Sequence, residues 1–299
     1  MSTLFDNRSL ETLEAIYTYN GFASAAKILG ISQSAVSQRF KSLQKSFGDM
    51  LLIRSTPYQL TSKGKKLVNY IQKIKHLEDV LSDEMGLKQK RHPLRISLSR
   101  DMLDTWFLNV LKNTNIMNKV QIALTTVDQE ETLSLLKRGE VNVAFSPSSL
   151  CFSEKKPSYI GSMTYICIST PCFQKRYFPK NILLKSALKK APCLVYDRKD
   201  NLYFKYLKKY WQINPLPFVV HTIPSVFCFK QLVLQGEVMA LIPYIDVQQE
   251  ISSGKLINLF PQNKWDIPIY MHTCDYLGVS DRKILQQIFQ ETHKILIFS

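Results

Sequence analysis

The chain has 299 residues, more than one ordinary small core requires, which predicts a small domain joined to a larger one. Hydrophobic residues make up 45% of the chain and the mean hydropathy is -0.10, and no apolar run approaches the roughly 18 residues that span a bilayer, which argues against a membrane protein. The formal net charge of +15 favours a polyanionic partner.

The first predicted element is a helix that Asp6 or Asn7 can cap and that ends at Asn20-Gly21. Its apolar side is formed by four residues at helical spacing: Leu10, Leu13, Ile16 and Tyr17. A shorter second helix, FASAAKILG, ends at Gly30, a residue that suits the left-handed conformation after a helix.

Residues 31 to 48, ISQSAVSQRFKSLQKSFG, predict a third helix that Ser32 caps. One stripe of this helix is apolar and consists of Val36, Phe40, Leu43 and Phe47. The opposite stripe is polar and consists of Ser34, Gln38, Lys41 and Lys45. On an isolated helix, such a polar stripe is compatible with an ordinary solvated face. The second and third helices, separated by a tight Gly-containing turn, predict a helix-turn-helix.

The charge around this third helix is one-sided. Between Asn20 and Lys75 the single acid is Asp49, whereas ten residues are basic: Lys27, Arg39, Lys41, Lys45, Arg54, Lys63, Lys65, Lys66, Lys73 and Lys75. Solvated faces usually mix both signs, so this segment favours a polyanion-binding surface. The sequence DMLLIRSTPYQLTSKGKKL, which follows Gly48, predicts a two-stranded wing that carries Arg54.

After Thr61 the sequence predicts a long helix without Pro or Gly beyond Gly64. Six residues form a candidate dimerisation seam, with the first and third beside the heptad spacing of the others: Leu67, Tyr70, Ile71, Ile74, Leu77 and Leu81. The alternative is that this helix packs against a later domain of its own chain.

At this point the sequence resembles the LysR-type transcriptional regulators. The resemblance covers about sixty residues, and the matching positions are Phe22, Ala25-Ala26, Leu29, SQSAVSQRFKSL, Phe47-Gly48, Leu51, Arg54, Thr61 and Gly64. Two positions depart from the usual pattern of that family, since Gln44 replaces a Glu and Leu52 replaces a Phe.

The resemblance implies that the polar stripe of the third helix reads DNA in the major groove. Two copies of the chain would bind an operator that is an inverted repeat. Gln38 would pair with adenine, and Arg39 or Lys41 would bind guanine or phosphate. The full set of expected DNA contacts is Ser32, Gln33, Ser34, Ser37, Gln38, Arg39, Lys41, Lys45 and, on the wing, Arg54. The long helix would join the copies into a homodimer or homotetramer, and RNA polymerase would be a possible further partner.

Beyond the polar hinge KQKRHP, strands and helices alternate from LRISLS to the C-terminal helix. Such β/α alternation predicts parallel sheets with ligand sites at the carboxyl ends of the strands. The expected fold class is therefore α/β: a winged helix-turn-helix over residues 5-61, a linker helix over 62-90 and a two-lobed effector domain over 91-299. The resemblance implies lobes like those of type 2 periplasmic binding proteins, one from 91-161 plus 267-299 and the other from 162-266.

Within the family, the segments MLDTWFL, LLKRGEV and QLVLQGEVMALIPY look most like the branch that senses lysine or arginine and controls a basic amino-acid exporter. Seven residues at strand ends are candidate effector contacts: Ser99, Arg100, Asp101, Asp128, Ser146, Asp197 and Ser225. The acids would pair with a cationic ligand, whereas Arg100 would argue against one if it pointed into the cleft. Each Ser or Asp could instead only cap its own helix.

Other protein classes are disfavoured. A solute-binding transport protein would need a signal peptide, but Asp6, Glu11 and Glu14 occupy the N-terminus, so we expect a cytoplasmic protein. An enzyme would need a motif such as GxSxG, a Walker loop or HExxH, and the sequence contains none of these. The six cysteines form no CxxC pair, so we expect neither a metal nor a cofactor. A regulator of the same family that senses an unrelated small anion stays open as an alternative.

Overall fold

The computed structural model describes residues 6–53, 55–87, 93–129, 131–151, 155–180, 183–198, 200–213 and 219–297. The N-terminal domain consists of three helices and a two-stranded wing: α1 (Asn7–Thr18), α2 (Phe22–Leu29), α3 (Gln33–Phe47), β1 (Leu52–Ile53) and β2 (Gln59–Leu60). The wing strands are antiparallel. This is the predicted winged helix-turn-helix.

The ends of these helices follow from capping chemistry. Asp6 caps α1, since its carboxylate accepts the backbone amides of Arg8 and Ser9, each at 3.2 Å. Ser32 caps α3 by accepting the amide of Ala35 at 3.2 Å. Helices α2 and α3 both end at a glycine in the left-handed conformation, Gly30 and Gly48. The sequence therefore predicted three of these ends from single residues.

The apolar stripe of α3 lies in the core of this domain. Val36, Phe40 and Leu43 are buried there together with Leu10, Leu13 and Ile16 of α1. Tyr17 departs from its predicted place on the buried side of α1, because it is 42% exposed at the edge of that stripe. Close packing also fixes Gly64, where an added Cβ would lie 2.0 Å from the carbonyl oxygen of Leu51.

The linker helix α4 (Ser62–Glu84) contacts both parts of the chain. Leu67 and Ile71, 8% and 1% exposed, complete the core of the winged helix. On its other side, Asn69 donates to the carbonyl of Arg138 at 3.0 Å, and Gln72 accepts from the Arg95 guanidinium. The helix is therefore docked on the effector region as well as on the DNA-binding domain.

The described residues of the effector region form nine strands in one mixed sheet. In chain order its elements are β3 (Leu94–Leu98), α5 (Arg100–Met102), a π-helical turn (Leu103–Phe107), α6 (Leu108–Thr114), a 3-10 turn (Ile116–Asn118), β4 (Ile122–Thr126), α7 (Thr132–Arg138), β5 (Val143–Ser146), β6 (Ser158–Ser169), α8 (Pro171–Tyr177), α9 (Leu184–Lys190), β7 (Cys193–Val195), α10 (Leu202–Trp211), β8 (Val220–Thr222), α11 (Val226–Leu234), β9 (Met239–Pro243), a 3-10 turn (Tyr244–Asp246), α12 (Gln248–Ser252), β10 (Ile257–Asn258), β11 (Trp265–Thr273) and α13 (Val279–Ile297).

The strand order β4-β3-β5-β11-β6-β9-β7-β8, with β10 on β6, divides this sheet into two lobes. Strand β3 is parallel to β4 and β5 in the first lobe, and β7 is parallel to β8 and β9 in the second. The expected parallel pairing is therefore present in both lobes, but it is not the whole sheet, because β6 and β11 pair antiparallel with their neighbours. These two strands carry the chain between the lobes in opposite directions. No helix in the described part of the chain combines the length and apolar character needed to cross a membrane.

Candidate DNA interface and effector cleft

The polar stripe of α3 faces solvent, because the opposite, apolar stripe is buried in the core of the domain. Six of its predicted DNA contacts are exposed: Ser32, Gln33, Ser34, Gln38, Lys41 and Lys45. Ser32 and Ser34 form a hydrogen bond between their hydroxyls at 2.9 Å. The stripe thus offers amide and ammonium donors on one side of a helix whose other side is fixed in a core, the arrangement that groove recognition requires.

Arg39 and Ser37 are half-buried and lie off this stripe. The positive charge of Arg39 contributes to lowering the pKa of Asp6, after the larger effect of the hydrogen bond from Ser9 to that carboxylate. The charge of Arg39 therefore acts at the start of α1 as well as on α3. The predicted wing contact Arg54 lies outside the described residues.

The exposed side of α4 carries an apolar stripe. Tyr70, Leu77 and Leu81 are 41%, 49% and 57% exposed, and Ile74 is half-buried beside them. Leu67 and Ile71 do not belong to this stripe, since both are buried in the winged-helix core, so the expected dimerisation seam is corrected by removing them. The cause is the helical phase, which turns these two side chains toward α1 rather than outward.

The cleft between the lobes contains a hydrogen-bonded group around Asp101. Its carboxylate accepts hydrogen bonds from Ser99, from Tyr165, from the amide of Met102 at 3.0 Å and from Gln129 at 3.2 Å. Burial and the negative charge of Asp101 raise the pKa of Tyr165 well above its usual range, so the hydroxyl stays protonated as a donor. Two predicted residues, Ser99 and Asp101, are thus joined to two that the sequence did not single out.

The other predicted effector residues have local partners. Ser146 accepts the amide of Ser148 at 3.2 Å, Asp197 accepts the amide of Asp200 at 2.9 Å, and Ser225 accepts the amide of Cys228 at 3.4 Å. The backbone carbonyl of Asp128 accepts the amide of Glu131 at 2.8 Å. These contacts stabilise turns and helix starts at the strand ends, as the capping alternative expected.

Two acids that the sequence reasoning missed lie on opposite sides of the cleft. Asp104, in the π-helical turn of the first lobe, is close enough to Asp246 of the second lobe for its charge to raise the pKa of Asp246. Burial is the larger cause of that rise, and Lys230, with its ammonium 3.4 Å from the carboxylate, opposes it. Burial raises the pKa of Asp104 as well, against the effect of Arg100.

This arrangement can hold a cation. Two carboxylates from different lobes, each with a raised pKa, are stabilised as anions when a positive charge lies between them. Arg100 is exposed one turn before Asp104, and its charge is partly offset by that carboxylate. Sequence could have indicated Asp246, because it closely follows the predicted strand VMALIP. Asp104 lies inside a helical segment and carried no such signal.

Comparison with known proteins agrees with this geometry. The family model described as "Bacterial regulatory helix-turn-helix protein, lysR family" matches residues 7–65. The HTH-type transcriptional regulator ArgP of Vibrio vulnificus is 34% identical over 287 residues, covering 95% of this chain and 96% of that protein. The ArgP of Salmonella arizonae is 33% identical over 294 residues, covering 97% and 98%.

Two solved structures share the fold over nearly the full length. The crystal structure of ArgP from Mycobacterium tuberculosis has a TM-score of 0.80 at 24% identity and covers 96% of this chain and 97% of its own. Full-length LysG from Corynebacterium glutamicum with bound effector Arg has a TM-score of 0.69 at 25% identity and covers 97% and 99%. With its winged helix and two-lobed effector domain, the chain belongs to the LysR family of DNA-binding transcriptional regulators.

Proposed function

We propose that this regulator binds a basic amino acid, lysine or arginine, in the cleft between its lobes and in response controls the gene of an amino-acid exporter. The observation that carries the proposal is the contact between the turn Leu103–Phe107 of the first lobe and the turn Tyr244–Asp246 of the second, which brings Asp104 and Asp246 into the same region of the cleft. A cationic side chain between them would favour the closed arrangement of the lobes, because it interacts with both only when they are close. The arginine bound to the related LysG supports the same ligand class.

The ligand's carboxylate would lie at the opposite end of the cleft. Ser99 precedes α5 and Ser225 caps α11, and each helix start directs backbone amides toward a bound anion. Asp101 is already saturated by four donors, so its role would be to fix Tyr165 and Gln129 rather than to bind the cation directly. Asp128, Ser146 and Asp197 would support the neighbouring turns.

On DNA, Gln38 and Lys41 would contact base edges, while Arg39, Lys45 and the serines near the start of α3 would position the helix on phosphates. The seam of Tyr70, Ile74, Leu77 and Leu81 would join two copies into the dimer that an inverted repeat requires. Pairs of dimers could form a tetramer and alter access of RNA polymerase to the promoter. This assignment places the protein in the cytoplasm.

Calorimetry on the full-length protein tests the effector. We expect L-lysine or L-arginine to bind and L-leucine and L-glutamate not to bind. Replacing Asp104→Asn should weaken binding of the basic ligand about tenfold, because it removes one of the two carboxylates proposed to pair with the ligand's cation. The matched control Asp275→Asn changes an exposed acid beyond the end of β11 that is remote from the cleft, and should have no effect.

The alternative effector is a small anion, which the exposed Arg100 at the start of α5 favours. Binding of glutamate alone, abolished by Arg100→Gln and unchanged by Asp104→Asn, would establish that alternative and reject the basic amino acid. Absence of binding by all four amino acids would reject an amino-acid effector of either charge.

A further inference from the structure

The positive charge of the chain is concentrated far from its winged helix. Residues 1–87 contain eleven Lys and Arg against eight Asp and Glu. Residues 171–212, which include α8, α9 and α10 of the second lobe, contain eleven Lys and Arg against only two acids. This segment therefore supplies the larger part of the net charge of +15, although the expected DNA-reading helix lies elsewhere.

The three helices cover one face of the second lobe. Phe173 of α8, Leu188 of α9 and Tyr206 of α10 pack in the core that contains Cys193 and Val195 of β7. The residue between those two, Leu194, points to the opposite core, which α11 covers with Phe229 and Val233. Because successive strand residues alternate between faces, α8, α9 and α10 share one side of the sheet and α11 lies on the other.

The charged side chains on this side are directed to solvent. We define the basic face of the second lobe as nine exposed residues: Lys175, Arg176, Lys180, Lys185, Lys189, Lys190, Lys205, Lys208 and Lys209. Helix α9 leads into β7 and α10 leads toward β8, and these strands are parallel, so both helices end at the same edge of the sheet. That edge is opposite the carboxyl ends of the strands, so Lys189, Lys190, Lys208 and Lys209, in the last turns of these helices, lie away from the effector cleft.

Helix-end stabilisation explains only part of this pattern. Lys189 and Lys190 lie in the last turn of α9, and Lys208 and Lys209 in that of α10, where a positive charge is favourable. Lys185 and Lys180 lie outside such turns and are also exposed. Within the face, Arg176 pairs with Glu237 at 3.3 Å, and the ammonium of Lys209 lies over the rings of Tyr210 and Trp265. The lysines still outnumber the acids of this segment, and an external anion would offset that surplus of positive charge.

The composition of the face indicates which anion. Eight of its nine residues are lysines, which are depleted in protein–protein interfaces, whereas arginine and aromatic anchors are enriched there. Among the described residues of 171–212, Leu183 is the exposed large apolar side chain, which is too little for insertion into a lipid surface. Lysine is a compact point charge that contacts phosphates without sequence preference.

We propose that the basic face of the second lobe is a second DNA-contacting surface, which binds the phosphate backbone of duplex that the winged helices do not cover. This inference relies on the DNA-binding activity of the family but not on the identity of the effector. Each lysine that neutralises a phosphate releases a counterion, so the surface makes DNA binding more sensitive to salt. DNA drawn onto it would bend around the regulator.

The test measures binding of the full-length protein to a labelled random-sequence duplex of about 60 base pairs, by fluorescence anisotropy over a range of salt concentrations. The variant Lys175→Gln/Lys185→Gln/Lys208→Gln removes one charge from each of the three helices. The control Lys112→Gln/Lys255→Gln/Lys283→Gln removes the same total charge from exposed sites outside the basic face. Thermal melts establish that both variants fold.

We expect the basic-face variant to bind the duplex more weakly. The slope of log K against log salt should become less steep by about 1 to 3, at about 0.9 for each lost phosphate contact. The control should keep the wild-type slope. An unchanged slope, or an equal change in the control, would overturn the proposal. The proposal would also be overturned if the basic-face variant kept its affinity for the duplex but lost binding to an RNA, an acidic protein or anionic vesicles.

A winged-helix variant separates this inference from the proposed function. Lys41→Ala/Lys45→Ala removes two positive charges from α3 and should independently lower affinity for the random duplex. Its free-energy effect should add to that of the basic-face variant, since distant sites are additive. Loss of binding in the winged-helix variant alone would leave the proposed DNA reading intact and reject the second surface.

Discussion

We expect Gln38 to be the side chain on which sequence-specific reading by this protein depends most directly. It is exposed on α3 between Ser34 and Lys41, and its amide offers both a donor and an acceptor to one base edge. Arg39, by contrast, is half-buried near Asp6, which suits a phosphate contact. The two neighbours in sequence are therefore expected to act differently.

We predict that Gln38→Ala reduces discrimination between operator and random DNA by about 1 to 3 kcal/mol, because a bidentate base contact is lost. Arg39→Ala should weaken both DNAs similarly. Competition footprinting with each variant measures the two affinities, and an unchanged monomer fold by circular dichroism serves as the control. If Gln38→Ala discriminated between operator and random DNA as well as the wild type does, the polar stripe of α3 would not be the surface that reads the sequence.

The cleft acids predict how effector binding depends on pH. Asp104 has a raised pKa in the unliganded protein, and a bound cation would lower it, so binding releases protons. Affinity for lysine should accordingly fall as the pH decreases through the unliganded pKa of Asp104. Titrations in buffers of different ionisation enthalpy measure the proton release, and Asp104→Asn should reduce it. Proton uptake on binding would contradict the cation site.

At single residues, sequence reasoning succeeded where chemistry is local. Asp6, Ser32 and Gly30 each determine a predicted helix end through their own hydrogen bond or backbone conformation. The nearness of Asp104 to Asp246 could not be predicted in the same way, because it depends on how two lobes distant in sequence approach each other.

At the scale of elements, α4 shows how one helix can serve three surfaces. Its Leu67 and Ile71 complete the winged-helix core, its Asn69 and Gln72 contact the first lobe, and its outer apolar stripe is left exposed. Sequence spacing identified an apolar seam but not which of its residues face inward. Rotation about the helix axis is set by tertiary packing, so the spacing alone assigned two core residues to the dimer.

We predict that Ile74→Asp/Leu77→Asp splits the oligomer, because it places unpaired charges in a seam that two copies would bury. Sedimentation velocity should show a smaller species that is still folded. Leu77→Met offers a matched control that keeps the apolar surface. If the charged variant sediments like the wild type, the interface lies on another surface.

For the whole molecule, the described contacts form a continuous connection from cleft to DNA-binding domain. The lobes are joined by β6 and β11, and the first lobe holds α4 through Arg95 and Gln72 and through His76, whose ring lies 3.3 Å from Asp281. On the other side of α4, Lys75 pairs with Glu14 of α1 at 2.5 Å. A change in lobe closure can therefore alter the orientation of α4 and the spacing of the winged helices in an oligomer.

At this scale the sequence predicted β/α alternation, because hydrophobic periodicity records element type, whereas the two lobes were implied by the family resemblance. It did not predict the antiparallel pairing of β6 and β11, since both strands read as ordinary apolar runs. Their direction follows from the two passages of the chain between lobes, a feature of topology rather than of local composition.

A basic amino acid bound in the cleft should change how the regulator contacts its operator. DNase footprinting of the region upstream of this gene, with and without saturating lysine or arginine, measures this change. We expect protection of an inverted repeat in both cases, with a shifted boundary or altered bending when the ligand is present. In Asp104→Asn the two footprints should coincide. Identical wild-type footprints at ligand concentrations where calorimetry detects binding would contradict it.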